Sequence, residues 1–107
     1  MSAAKIRALN DAFRTTMTGG RVIMTAGVQA LGEKTVASAL TAVREFTAFS
    51  ADNDPHREHD FGSFGLAGRK FFWKIDAYDA DMRFGSEDPA DPAKTTRVLT
   101  IMLAEEY

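Results

Sequence analysis

The chain has 107 residues, no cysteine and a formal net charge of −2, with 45% hydrophobic and 26% charged side chains. That length and mix describe a single globular domain, 1–107, with one modest hydrophobic core. They exclude disulfides, thiolate metal sites and cysteine nucleophiles, and the charge is too small to suggest a polyanion partner.

Charge is unevenly placed. Residues 1–49 carry six basic and three acidic side chains, and residues 50–107 carry seven basic and twelve acidic. Lys5, Arg7, Asp11 and Arg14 interrupt the N-terminal region, so no signal-peptide apolar core is expected. The longest charge-free apolar stretch, Val22 to Gly32, is far too short to span a bilayer. The chain is expected in the cytoplasm, with no membrane partner.

In chain order, Ser2 reads as an N-cap. Ile6, Leu9, Phe13 and Met17 then recur at helical spacing. Gly19-Gly20 is expected to end that helix, since glycine takes the left-handed cap conformation without penalty. Arg21 to Thr25 predicts a short strand, and Ala26-Gly27 a turn. A second helix is predicted from about Glu33 to Phe49, with Val36, Ala39, Leu40, Val43 and Phe46 on one face. Asp52 to Asp60 is a loop, because Asx side chains bond nearby backbone and Pro55 blocks a helix.

Phe61–Leu66 and Arg69–Asp76 flank Ala67-Gly68 and predict a hairpin. A two-residue turn sets Leu66 opposite Arg69, Phe64 opposite Phe71 and Gly62 opposite Trp73. Because cross-strand partners share a face, Phe64, Leu66, Phe71, Trp73 and Ile75 form a core face. Phe61, Ser63, Gly65, Lys70, Phe72, Lys74 and Asp76 form the other. Alanine suits a primed turn poorly, which leaves a longer loop and another register open. Gly85 to Thr96 reads as a loop punctuated by two Asp-Pro pairs. Arg97 to Glu105 predicts a last strand. Val98 to Leu103 is apolar on both faces apart from Thr100, as in a central strand; a short buried helix is the rival. The predicted fold is α+β: two helices packed on one face of a mostly antiparallel sheet of about four strands, in the order α-β-α-β-β-β.

Several blocks carry a family resemblance: Leu9-Asn10-Asp11-Ala12-Phe13, Thr18-Gly19-Gly20-Arg21-Val22, Asp52-Asn53-Asp54-Pro55-His56, His59-Asp60-Phe61-Gly62 and Phe71-Phe72-Trp73-Lys74-Ile75-Asp76. Tyr78-Asp79-Ala80-Asp81, Gly85-Ser86, Asp88-Pro89-Ala90-Asp91-Pro92 and the run Thr96 to Tyr107 add to it. Together they resemble, over nearly the whole chain, the bacterial domain-of-unknown-function family numbered 3768. The resemblance implies a mainly alphaproteobacterial source, often on a plasmid or other mobile element, and an accessory or host-interaction role. It transfers no catalytic residue.

Three constellations could carry chemistry. The Asp52–Asp60 loop holds both histidines, His56 and His59, among Asp52, Asp54, Glu58 and Asp60. Imidazole and carboxylate suit zinc or manganese, although no standard zinc spacing is present. Asp76 and Asp79 follow the aromatic strand and would complete an acidic pocket if the strand end lies near that loop. A divalent-metal site would then draw on His56, His59, Asp60, Asp76 and Asp79. Lastly, Phe61, Lys70, Phe72 and Lys74 on the second hairpin face could meet a protein or stack nucleic-acid bases.

Two functions compete. A small accessory binding protein engages a protein, or alternatively a nucleic acid, and is no enzyme. A small divalent-metal-dependent hydrolase or phosphoesterase uses the His/Asp loop. Turn chemistry accounts for the loop without either function, and Val98 to Leu103 is also suited to pairing across a twofold axis in a homo-oligomer.

Overall fold

The computed structural model describes residues 2–107. Three helices and four strands alternate as α1 (Ala3–Thr16), β1 (Arg21–Met24), α2 (Ala26–Gln29), α3 (Glu33–Arg44), β2 (Phe61–Leu66), β3 (Arg69–Tyr78) and β4 (Thr96–Leu103). Single 3₁₀ turns at Pro92–Lys94 and Ala104–Glu106 bracket β4. The class is α+β with the expected order, apart from the short extra helix α2 where a turn was predicted.

The sheet order is β1-β4-β3-β2. β2–β3 and β3–β4 are antiparallel, and β1 lies parallel to β4. The hairpin has the two-residue register, with Leu66 opposite Arg69, Phe64 opposite Phe71 and Gly62 opposite Trp73. Ala67 and Gly68 both take positive φ, 53° and 74°, as a type I′ turn requires. The turn therefore tolerates an alanine where glycine or asparagine is preferred.

Pairing puts Phe71, Trp73, Ile75, Leu99, Ile101 and Leu103 on one face. They form a single core with Phe13, Val28, Ala39, Val43 and Phe46 from the helical side. All three helices thus cover the same face. β4 is buried because it is central, as its two-sided apolar pattern indicates. That position also corrects the expectation of twofold pairing through Val98 to Leu103: β1 and β3 already take both sides of the strand, and the free edges belong to β1 and β2.

Two helix ends differ from the sequence reading. α1 closes at Met17, which takes φ 58° with its N–H on the Phe13 carbonyl at 2.7 Å. The glycines are not needed there, because Met17 packs against the core and is held by it. α3 stops at Arg44, five residues before Phe49. Its last carbonyls are taken by a side chain from α1: Arg14 Nη1 donates to Val43, Arg44 and Phe46 at 2.8, 3.3 and 3.0 Å. A cation at a helix C-terminus meets both the orphan carbonyls and the dipole. The released chain then sets Phe46 and Phe49 edge-on to Trp73.

Candidate functional site

The loop between α3 and β2 is built by its own polar side chains. Asn53 accepts from the Ser50 N–H and donates to the Ala48 carbonyl, both at 2.9 Å. Asp54 is buried and accepts from the Glu58 and His59 N–H groups, each at 3.1 Å. This is the Asx turn chemistry expected of the loop.

His59 is the centre of that loop. Its Nδ1 lies 2.9 Å from Asp11 Oδ1, and its Nε2 lies 3.5 Å from Asp54 Oδ2. Its ring stacks on Phe49, centroids 3.6 Å apart and planes 1° from parallel. Arg7, Ser50 and Arg57 share a cleft with it of about 310 Å³. Both imidazole nitrogens thus face protein carboxylates and one ring face is covered. The residue ties α1, the loop and the segment that follows α3 together.

The residues predicted to bind metal are dispersed. His56 is exposed. His59 is engaged by Asp11 and Asp54. The Asp60 carbonyl accepts from Ile75 N–H at 2.8 Å, and burial raises its carboxyl above the usual aspartate range. Asp76 is ion-paired with Lys74 at 3.0 Å on the helix-free face of the sheet. Asp79 caps a separate turn by accepting from Arg83 N–H at 3.0 Å. Among the described residues no three His, Asp or Glu side chains are grouped so as to hold a metal ion.

The predicted partner face, by contrast, is brought together. Phe61 and Phe72 are paired across β2 and β3 with ring centroids 5.2 Å apart. Tyr107 joins them at 6.1 and 5.4 Å. Lys70 Nζ lies 5.4 Å from the Phe72 ring centroid, within cation–π range. Lys74 gains from Asp76, whose carboxylate accepts its hydrogen bond and raises its pKa. Arg21 and Ile23 extend the same face through their pairing with Val98 and Thr100.

Sequence reasoning missed four residues: Asn10, Asp11, Arg14 and Tyr107. Asn10 and Arg14 are only 3% and 4% exposed. Their signal was present, since both lie on the same helical stripe as Ile6, Phe13 and Met17 at i, i+4 spacing. Polar residues on an apolar stripe mark buried hydrogen-bonding positions. Asn10 donates to the Glu58 carbonyl at 2.9 Å and accepts from Arg97 Nε at 2.7 Å, joining loop to sheet.

The model of the family described as "Protein of unknown function (DUF3768)" matches residues 24–106. The chain belongs to that family. No curated protein and no solved structure matches it. The DUF3768 match starts at the end of β1 and takes in the loop, the hairpin and β4, whereas α1, which supplies Asn10, Asp11 and Arg14, precedes it. No helix among the described residues is long and apolar enough to cross a membrane.

Proposed function

We propose that this protein is a non-catalytic binding protein of the cytoplasm that engages a protein partner through the helix-free face of its sheet. The observation that carries the reading is the contact of Phe61, Phe72 and Tyr107 on that face, bordered by Lys70 and Lys74. Aromatic side chains with basic neighbours supply large contact area at low entropic cost, which is why they concentrate in interface centres. The face carries Arg21, Lys70 and Lys74 against Asp76, a positive balance in a chain of net charge −2. The partner it suits is therefore a protein segment with apolar and acidic side chains.

A nucleic acid is less well served. Base stacking needs a free ring face. Phe72 already carries the Lys70 ammonium and meets Tyr107 edge-to-face. The His59 cleft does not favour an enzyme either, since Asp11 and Asp54 hold the only half-buried imidazole.

The test is site-specific photocrosslinking in cells that express the chain. A crosslinker in place of Tyr107 is expected to capture one discrete protein, and Lys70→Glu with Lys74→Glu should abolish that product. A crosslinker in place of Lys34, on the exposed side of α3, should not form it. Equal capture from both positions, or capture insensitive to the lysine changes, rejects the reading.

A further inference from the structure

Two arginines are buried in this protein, and they are compensated differently. Arg14 is ion-paired with Asp11 at 3.0 Å besides holding the α3 carbonyls. Arg97, on β4, is about 96% buried. Its Nε donates to Asn10 and its Nη2 to the Pro89 carbonyl, both neutral acceptors. Its Nη1 donates to nothing among the described residues, and no carboxylate there forms an ion pair with it. Burying a charge without an ion-pair partner is destabilising, because desolvation is not repaid by a direct Coulombic contact.

Arg97 lines a cleft of about 380 Å³ between α1 and the segment entering β4. Thr18, Gly19 and Thr95 form its polar wall, and Leu9, Phe13 and Pro92 its apolar wall. The chain has 15 acidic residues, yet none lines this cleft, and Arg97 is its only charged residue. Gly19 stands at φ 95° and its backbone N–H meets no acceptor among the described residues. The cleft thus combines one cation without an ion-pair partner, one free amide and a hydrophobic wall.

We propose that this cleft binds a small organic anion whose carboxylate or phosphate pairs with Arg97 while its apolar body lies against Leu9, Phe13 and Pro92. The guanidinium nitrogen left without a partner, Nη1, can donate a charge-assisted hydrogen bond to either oxyanion. Burial lowers the Arg97 pKa, and only the field of Glu58 opposes that effect. An anion in the cleft would relieve the same penalty directly. The site is separate from the aromatic sheet face, and its occupancy does not depend on a protein partner.

The experiment is an amide chemical-shift titration of the full chain with benzoate, phenyl phosphate, inorganic phosphate and neutral benzamide, at constant ionic strength in chloride. Benzoate or phenyl phosphate is expected to shift the Thr18, Gly19 and Thr95 amides saturably, and benzamide is not. Tighter binding of phenyl phosphate assigns a phosphoryl ligand; tighter binding of benzoate assigns a carboxylate. Arg97→Gln should remove binding, but it also alters a buried hydrogen-bonded position. Ala12→Glu, on an exposed helical position lining the cleft, keeps Arg97 in place and should weaken binding by about tenfold or more through like-charge opposition. No saturable shift with any anion, equal response to benzamide, or undiminished binding by a folded Ala12→Glu variant overturns the proposal.

Discussion

Asp11 on α1 and His59 in the loop before β2 are joined at 2.9 and 3.0 Å across a separation of 48 residues. Asp11 also accepts from Arg14 Nη2 at 3.0 Å. One carboxylate therefore organises both the loop and the cap on α3. Asp11→Ala should destabilise the fold by about 1–3 kcal/mol, because it leaves a buried guanidinium and a ring nitrogen short of an acceptor. Urea denaturation measures this, and an unchanged midpoint would show that the latch is unimportant.

Gly62 is where β2 makes room for the core. A Cβ there would lie 2.7 Å from the Phe46 ring and against the Trp73 indole. Trp73 is fully buried and cannot retreat into solvent. Gly62→Ala should cost about 1–3 kcal/mol through overpacking. Gly65→Ala is the control, since nothing closer than 4.0 Å meets its Cβ; similar losses at both positions would refute the packing account.

Ala67 occupies a left-handed position in the hairpin turn. Asparagine adopts that conformation more readily than alanine. Ala67→Asn should raise stability by about 0.5–1 kcal/mol, the scale of relieving one such residue. A lower thermal midpoint would mean that the turn is not type I′ in solution.

Two carboxylates should give opposite pH signatures. Burial raises the Asp60 pKa, so its contribution is present at low pH and is lost as pH rises through the folded-state value. Asp60→Asn should stabilise the protein at neutral pH, with the gain vanishing in acid where the native carboxyl is protonated. Glu106 is lowered, first by the Thr25 hydroxyl and then by the Leu103 and Gly27 N–H groups. Its contribution is present above the ordinary glutamate range and is lost as pH falls through the folded-state value. Glu106→Gln should lower the thermal midpoint at neutral pH, with the deficit closing in acid. Thermal scans from neutral to acidic pH test both signs.

The hairpin was legible in the sequence down to its register, because alternation and a two-residue turn decide it within sixteen residues. The burial of β4 was legible too, since Val98 to Leu103 lacks a polar face. The aromatic face of the hairpin followed from the same alternation, although Tyr107 joined it only in three dimensions. The end of α3 was not legible. Its apolar spacing continues to Phe46, and what stops it is a guanidinium from α1, thirty residues away. The metal grouping failed to assemble for a related reason: proximity in sequence put His56, His59 and Asp60 together, but the fold leaves His56 exposed and turns His59 to Asp11 and Asp54.

By itself, the sequence determined what depends on neighbours a few residues apart: helical stripes, strand alternation, turns and the face to which each side chain belongs. Tertiary structure alone decided that β1 joins β4 in parallel, that Asp11 holds His59, and that Arg97 is buried without an ion-pair partner. The physical reason is range. Backbone sterics and periodicity act locally, whereas the partner of a buried charge is chosen by how separate elements pack.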